Sequence, residues 1–467
     1  MIPSYNSLKL SASKLLAYAF CRTFPRAQFV ESFATGEGFS CDVLTEETLD
    51  AQALATLEEQ MYALVRQELP ISALEMMREN AAAFLLHQGY PVRAAQVEES
   101  SLQTVSIFRM GDFADLADPP FLSNSNEISY FKLLRAYPVE TYLPGEGIIS
   151  VTRIDGTICQ SQKELKQHIK LIANARKHDH VKLGQELKLF ILDELSGSCV
   201  WLPRGIDLRR QVRTAWEKTQ HGVPLQELST PALLPETKLP YKGKRVAPFN
   251  QMTLHDIPYL FGSSPLPAHI SAFFSGEYRT EQCPIFYYEW YQECQDTPPG
   301  KLSGLYTPRV VFKDTTQIFC TPEQLLPQLI SSLQFIYELL KMFGIHYSWW
   351  LIPGNPTKGE DKKQLEISVE LLQEALNACG FSYTLDKQAK KRYGARVEAR
   401  LVDALQRTWA GPYVEFATEL CMRLSLQHEK WKGNTSRPSL ISRSLLGSME
   451  LFTAILLEQT QGNFLKN

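Results

Sequence analysis

The sequence predicts an α+β chain whose larger part is a mostly antiparallel sheet with helices packed on it. One observation is the set of short aromatic or β-branched runs bounded by Pro or Gly in the second half: Ile285–Glu289, Arg309–Phe312, Trp349–Ile352 and Tyr413–Phe416. A second is the helical stretches that separate them, Pro322–Met342, Gln364–Ala378 and Leu445–Glu458. A third is the change of texture near residue 196, before which helical spacing dominates.

In chain order, residues 51–66 place Leu54, Leu57, Met61, Leu64 and Val65 on one helical face. A second helix is expected from Ser72 to Gln88, ending at Gly89, a natural C-cap. Residues 160–194 carry Leu165, Ile169, Ile172 and Ala173 at helical spacing with lysines opposite, which reads as a long exposed helix able to join two domains. Lys177-His178-Asp179-His180 lies near its end. Histidines two apart do not share a helical face, so a solvated helix end is expected there rather than a metal site. Pro298-Pro299-Gly300 reads as a hairpin turn, and no internal repeat or low-complexity tract interrupts the chain. The domain boundary is expected near residues 155–180.

Composition narrows the class. With 467 residues and 53.1 kDa the chain exceeds one ordinary domain, and about two or three are expected at roughly 150 residues each. The hydrophobic fraction of 44%, with 24 Phe, 19 Tyr and 7 Trp, excludes wholesale disorder. A net charge of -3 lacks the basic excess that nucleic-acid-binding proteins usually carry. Cys21, Cys41, Cys159, Cys199, Cys283, Cys294, Cys320, Cys379 and Cys421 are scattered without a CxxC, as expected of reduced, mostly buried thiols. The apolar patch Leu15–Phe20 behind Lys9 and Lys14 is followed by no convincing cleavage site, so no signal peptide is expected. Leu333 to Pro353 is broken by Glu338, Lys341 and His346 and reads as a helix running into a buried strand, not a membrane span. A cytoplasmic protein is the natural expectation.

The residues alone offer no catalytic constellation. There is no GxxxxGK[ST] phosphate loop, no HExxH and no GxSxG elbow. His87, His168, His221, His255, His269, His346 and His428 are isolated from one another, and Glu98-Glu99 and Asp193-Glu194 are explained equally well by solvated helix faces.

Four stretches in register organise the chain. They are Gly38-Phe39 with Cys41-Asp42-Val43, His178-Asp179-His180-Val181-Lys182-Leu183-Gly184, Tyr393-Gly394-Ala395-Arg396-Val397-Glu398, and Leu446-Gly447-Ser448-Met449-Glu450-Leu451-Phe452. Together they resemble the threonyl-tRNA synthetases, a class II aminoacyl-tRNA synthetase family, from about residue 10 to residue 464. The resemblance implies a smaller α/β editing-like domain over 1–158, a linker helix over 159–181 and a class II catalytic-like domain over 182–467. It also implies that the family's TGS and anticodon-binding domains are lacking.

Position by position, the resemblance implies lost chemistry. The family holds zinc by one Cys and two His, and the matching positions are Leu266, Gln317 and Ser442. Leucine cannot ligate a metal, and Gln and Ser are poor zinc ligands beside thiolate and imidazole. The family's three phosphate-neutralising arginines fall at Gln295, Thr307 and Leu451, and its adenine-stacking Phe falls at Val311. Glu289, Arg309 and Ser448 survive as remnants of the ATP pocket, with ordinary alternatives in a sheet salt bridge and a helix-start cap. The editing pair HxxxH corresponds to Lys14 and Tyr18, and CxxxH to Ala117 and Phe121. Asp115 and Arg93 remain there as a relic ion pair. No catalytic residue, metal or cofactor is therefore expected, although the family would use zinc and ATP with magnesium.

The functional expectation is a catalytically degenerate paralogue, a pseudoenzyme that binds a protein or small-molecule partner in a translation or amino-acid-related role. Two alternatives stay open: a class II adenylate-forming ligase with altered substrate, and a non-catalytic tRNA- or RNA-binding module using Lys387, Lys390, Lys391 and Arg392 beside Tyr393. Homodimerisation is expected through the motif 1-like region Ile206 to Pro231, with Leu208, Val212 and Trp216 on one helical face. A heteromer with another synthetase or a metabolic protein is the other arrangement considered, and no membrane partner is expected.

Overall fold

A computed structural model of the chain describes residues 5–100, 102–116, 119–193, 196–235, 251–276, 282–297, 301–354, 360–386, 394–416 and 438–463. They fall into two compact units, one ending at Lys177 and the other beginning at His178.

In the first unit, helix α1 (Tyr5–Thr23) buries Leu8, Ala12, Leu15, Leu16, Ala19 and Phe20. Strands β1 (Gln28–Ala34) and β2 (Phe39–Leu44) follow, then α2 (Ala51–Val65), whose first turn is capped by the Asp50 carboxylate accepting the Ala53 N–H. Next come β3 (Ile71–Met77), α3 (Arg78–His87), α4 (Pro91–Glu99), β4 (Thr104–Met110), β5 (Phe113–Leu116), the long hairpin β6 (Tyr130–Leu143) and β7 (Gly147–Cys159), and α5 (Gln162–Ala175). The strands form two antiparallel sheets, in the orders β1-β2-β7-β6 and β3-β4-β5. Phe29, Phe39 and Ile154 meet α1 and α2 in one apolar core. Gly38 is required where the chain passes β7, since a Cβ there would lie 2.2 Å from the Gly156 carbonyl oxygen.

The second unit holds α6 (His180–Glu186), β8 (Phe190–Asp193), β9 (Ser198–Trp201), α7 (Pro203–Thr219), β10 (Leu225–Glu227), β11 (Leu233–Pro235), β12 (Gln251–Leu254) and β13 (Ile257–Phe261). These are followed by α8 (Leu266–Ser275), β14 (Ile285–Cys294), β15 (Val310–Cys320), α9 (Leu325–Met342), β16 (Tyr347–Ile352), α10 (Glu360–Ala378), β17 (Tyr383–Leu385), β18 (Arg396–Val402), β19 (Thr408–Phe416), β20 (Ser439–Ser444) and α11 (Met449–Thr460). Eight strands make one sheet in the order β10-β14-β15-β20-β19-β18-β16-β17. Its inner pairs are antiparallel, and only the β10–β14 and β16–β17 pairs at its edges are parallel. The expected largely antiparallel sheet with helices on it is thus the architecture found.

Period-two alternation gives this sheet two unlike faces. On one, Phe286, Ile318, Ile441, Val414, Val397 and Leu351 join the main core with Leu329, Leu333 and Ile336 of α9 and Phe452 and Ile455 of α11. A buried polar network pins that core. Asp314 accepts from Trp216 Nε1 (2.8 Å), Ser444 Oγ (2.6 Å) and the Leu445 and Leu446 N–H groups (2.7 and 3.0 Å). Arg443 donates to Ser332 Oγ and Gln220 Oε1, and burial lowers its pKa to about 10.

Three local expectations need correction. The helix expected over Ser72–Gln88 begins only at Arg78, because Ile71–Met77 pairs with β4 from Ile71↔Met110 to Met77↔Thr104. Ala, Leu, Glu and Met favour helix by propensity, and the ladder overrides it. The helix expected over 160–194 breaks after Ala175, and Asp179 starts α6 by accepting the Val181 and Lys182 N–H groups at 2.9 and 3.1 Å. The histidine pair does not sit on a solvated helix end, for His180 is only 3% exposed. The expected turn Pro298-Pro299-Gly300 lies outside the described residues.

Candidate functional site

The other face of the large sheet is polar, and its rows follow from the register. Tyr287, Gln317, Ser442, Glu415 and Arg396 stand side by side across five strands. The next row carries the cross-strand pairs Glu289↔Thr315, Tyr413↔Ser444, Glu398↔Tyr413 and Trp350↔Glu398. Two of the zinc-matched positions, Gln317 and Ser442, are therefore direct cross-strand partners, and both are buried. The third, Leu266, opens α8 and packs against the apolar cluster that holds Tyr287 and Phe319, the cross-strand and same-strand neighbours of Gln317. The three positions share one neighbourhood, but a leucine, an amide and a hydroxyl offer no set of donors that would hold zinc.

The ATP-matched positions lie at the loop end of the β14–β15 hairpin and on α11. The Gln295 N–H donates to the Arg309 carbonyl at 2.7 Å, and Thr307 Oγ1 donates to the Lys301 carbonyl at 2.8 Å. Val311 is buried opposite Glu293, and Leu451 is absorbed into the main core. Among the remnants, Arg309 Nε donates to the Thr297 carbonyl at 3.0 Å. Ser448 caps α11 by accepting the Leu451 N–H. Glu289 accepts from the Thr230 N–H and hydroxyl, both at 2.9 Å, and pairs with His269 Nε2 at 2.9 Å. Burial would raise the Glu289 pKa, but His269 and the Thr230 donors outweigh it and hold the group below the usual carboxylate value.

Among the described residues, Lys313, Arg396 and Arg400 on this face have carboxylate partners. Lys313 pairs with Glu293 at 2.7 Å, and Glu293 also accepts from the Tyr291 hydroxyl. Arg396 lies 3.5 Å above the centre of the Tyr413 ring and pairs with Glu398 and Glu415 at 3.3 and 3.5 Å. Arg400 stacks on Trp350 and pairs with Asp386 and Glu398 at 2.5 and 3.2 Å. Burial pushes the Tyr413 hydroxyl up to about 12, so it stays a neutral donor at ordinary pH. A nucleotide triphosphate needs guanidinium or ammonium groups aimed at its oxygens. Of the residues here, none matches the family's zinc or three-arginine sets, and no chemical step through either group follows.

In the first unit the editing-matched positions are equally committed. Lys14, 1% exposed, spends its three protons on the Ser32 carbonyl (3.0 Å), the Leu116 carbonyl (3.0 Å) and Asp115 Oδ2 (2.5 Å). Arg93 Nε donates to the other Asp115 oxygen at 2.6 Å, so the expected Arg93–Asp115 pair is a triad with Lys14. Burial lowers the Lys14 pKa despite Asp115, and Arg93 with Lys14 outweighs the burial that would raise Asp115 and holds it low. Tyr18 donates to Asp112 and stacks on Phe113, while Phe121 meets Phe108 edge-on. Ala117 lies outside the described residues, as do Lys387, Lys390, Lys391, Arg392 and Tyr393.

Asp179, His180 and Glu458 come close enough to suggest a metal site. Both His180 nitrogens are spent, Nδ1 on Glu458 Oε1 at 2.8 Å and Nε2 as acceptor of the Leu305 N–H at 3.0 Å, so the cluster braces α6 against α11. What sequence reading missed is the polar row itself. Its signal is the alternation Tyr287, Glu289, Tyr291, Glu293 within a strand whose intervening residues include the aromatic Tyr288 and Trp290.

No family model matches the chain. It is 28% identical over 468 residues to the threonine--tRNA ligase of a Sulfurovum species, covering 99% of this chain and 77% of that protein. It is 29% identical over 472 residues to the threonine--tRNA ligase of Campylobacter jejuni, with the same coverage of both chains. Among solved structures, the RNA binding domain of the Cryptosporidium parvum threonyl-tRNA synthetase matches with a TM-score of 0.55 at 25% identity, over 61% of this chain and 73% of that one. An Aeropyrum pernix chain provisionally named a threonyl-tRNA synthetase has the same fold, with a TM-score of 0.53 at 16% identity over 61% of this chain and 70% of that one. The chain is thus similar over nearly its whole length to threonine--tRNA ligases, and it shares its fold with threonyl-tRNA synthetase chains.

Proposed function

We propose that this chain is catalytically degenerate: a pseudoenzyme that acts by binding a protein or small-molecule partner in a translation or amino-acid-related role. The observation that carries the reading is the polar row of the large sheet. Gln317 and Ser442 stand as neighbours where the family places zinc-binding histidines, and Lys313, Arg396 and Arg400 are held by carboxylates. Lost charged hydrogen bonds to phosphate cost about 1.5–3 kcal/mol each, and three together would suppress adenylate formation.

The buried framework supports the same reading, because Asp314, Arg443 and the His180–Glu458 brace preserve the architecture around that face. In the first unit, Lys14 takes a position of a family histidine and serves as an internal ion-pair partner, which leaves it no free electron pair for activating water. Homodimerisation and a cytoplasmic location belong to the proposal. Leu208, Val212 and Trp216 are buried in the second unit's own core, so self-association would use other surfaces of the motif 1-like region.

The test is amino-acid-dependent exchange of pyrophosphate into ATP across the standard amino acids. The reading expects no exchange with any of them; sustained exchange with even one would establish an adenylate-forming ligase instead.

A further inference from the structure

Strand β3 is the edge of its sheet, whose order is β3-β4-β5. Backbone N–H groups alternate sides along a strand, and two bonds fix the phase here. The Arg78 N–H donates to the Gln103 carbonyl at 3.0 Å, on the side of β4, just beyond the pair Met77↔Thr104. By the same alternation the Ile71 N–H faces away from β4, and it donates to the Ser123 carbonyl at 2.9 Å. The chain around Asn124 thus covers this edge at its start, with the bridge Pro70↔Asn124, and goes no further. Ala73, Glu75 and Met77 have the phase of Ile71, and among the described residues nothing accepts from their N–H groups.

The side chains leave this edge open. Ser72, Ala73 and Glu75 are exposed, Leu74 is 48% exposed and Met77 52%. Edge strands are ordinarily blunted by lysine or proline, and Ile71–Met77 contains neither; its one charge is Glu75. The open stretch is complementary to itself. An antiparallel pair of copies centred on Glu75 sets Ala73 opposite Met77 and Leu74 opposite Met76, apolar against apolar. Centring it on Leu74 would set Met77 where Ser123 already lies beside Ile71, and centring it on Met76 would set Ala73 against Glu79 in the first turn of α3. Only the Glu75-centred register therefore brings the three open residues together. Its like charges meet at one exposed position, where water and salt screen them.

We infer that β3 is a self-association edge: a second copy of this chain pairs its own β3 antiparallel about Glu75, joining the two three-stranded sheets into one. The surface belongs to the first unit and lies apart from the motif 1-like region. It stands independently of the pseudoenzyme reading. The Glu75 residues exchange both backbone hydrogen bonds across the two-fold axis, and each Met77 N–H donates to the Ala73 carbonyl of the second copy.

Cross-linking of the full chain tests it. The register sets Glu75 opposite its counterpart at a Cα separation of about 5.5 Å, within reach of a disulfide. Ala73 lies about 14 Å from its own counterpart, beyond that reach. Under diamide, Glu75→Cys should run as a disulfide-linked dimer on a non-reducing gel, while Ala73→Cys and the unaltered chain should not. Met77 has a φ of -61°, which proline can adopt, and its N–H takes no part in the ladder with β4. Adding Met77→Pro to Glu75→Cys should therefore slow linking by about tenfold without lowering the melting temperature. Glu75→Gln removes the facing charges and should tighten self-association in sedimentation velocity by about twofold to fivefold, which decides the matter if the proline variant does not fold. No linked dimer from Glu75→Cys, equal linking by Ala73→Cys, or linking indifferent to Met77→Pro overturns the pairing. Sedimentation unchanged by Glu75→Gln overturns it too, and assigns any dimer to another surface.

Discussion

Lys14, which the resemblance sets against a family editing histidine, is at the scale of one residue a structural group. A buried ammonium is tolerated only when its protons and charge are met, and here two carbonyls and Asp115 meet them. Replacing it by Met removes one of the two cations, Lys14 and Arg93, that pair with the buried Asp115, and breaking buried ion pairs from one side costs several kcal/mol. Lys14→Met should lower unfolding free energy by about 3 kcal/mol in urea denaturation. A loss below about 1 kcal/mol would show that the triad is not a structural tie. The sequence made Lys14 and Tyr18 legible as i and i+4 neighbours on a helix. It did not reveal that Lys14 reaches Asp115 while Tyr18 turns to Asp112, since helical spacing reports a shared face and not the partner from another element.

At the scale of elements, strands were legible over Ile285–Glu289 and Tyr413–Phe416, because aromatic and β-branched runs bounded by Pro or Gly favour a pleated, half-buried surface. Ile71–Met77 was not, since helix-favouring residues there are held in a ladder by a partner thirty residues away in the chain, roughly, a pairing that local pattern does not encode. The start of α11 carries a second tie that sequence hides. Glu450 accepts the Phe312 N–H at 2.8 Å and Trp201 Nε1 at 3.3 Å, and burial raises its pKa to about 7 despite the nearby Arg209. Arg209 stacks on Trp201 and Phe312, and Cys199 also faces the carboxylate. A carboxylate raised in the fold favours the native state most below its unfolded value near 4.3, and that advantage is lost as pH rises through about 7. Stability measured by denaturation should therefore fall between about pH 4.5 and pH 7.5, by up to about 3 kcal/mol from this group. Glu450→Gln should flatten that part of the profile; an unchanged slope in the variant would assign it to other groups.

At the scale of the molecule, the division is between framework and face. The Asp314–Arg443 network and the apolar side of the eight-stranded sheet keep a fold shared with synthetases, while the polar side holds its cations in internal pairs. The proposed loss of metal and nucleotide chemistry rests on Leu266, Gln317, Ser442, Gln295, Thr307 and Leu451 as the resemblance aligns them. The charge pairs on that face were not legible, because Arg396, Glu398 and Glu415 meet only through strand register. The most direct measurement is calorimetric titration of the full chain with MgATP, with metal content determined on the same sample. The account predicts no saturable ATP binding into the millimolar range and no stoichiometric zinc. Micromolar ATP binding, or one zinc per chain, would contradict it.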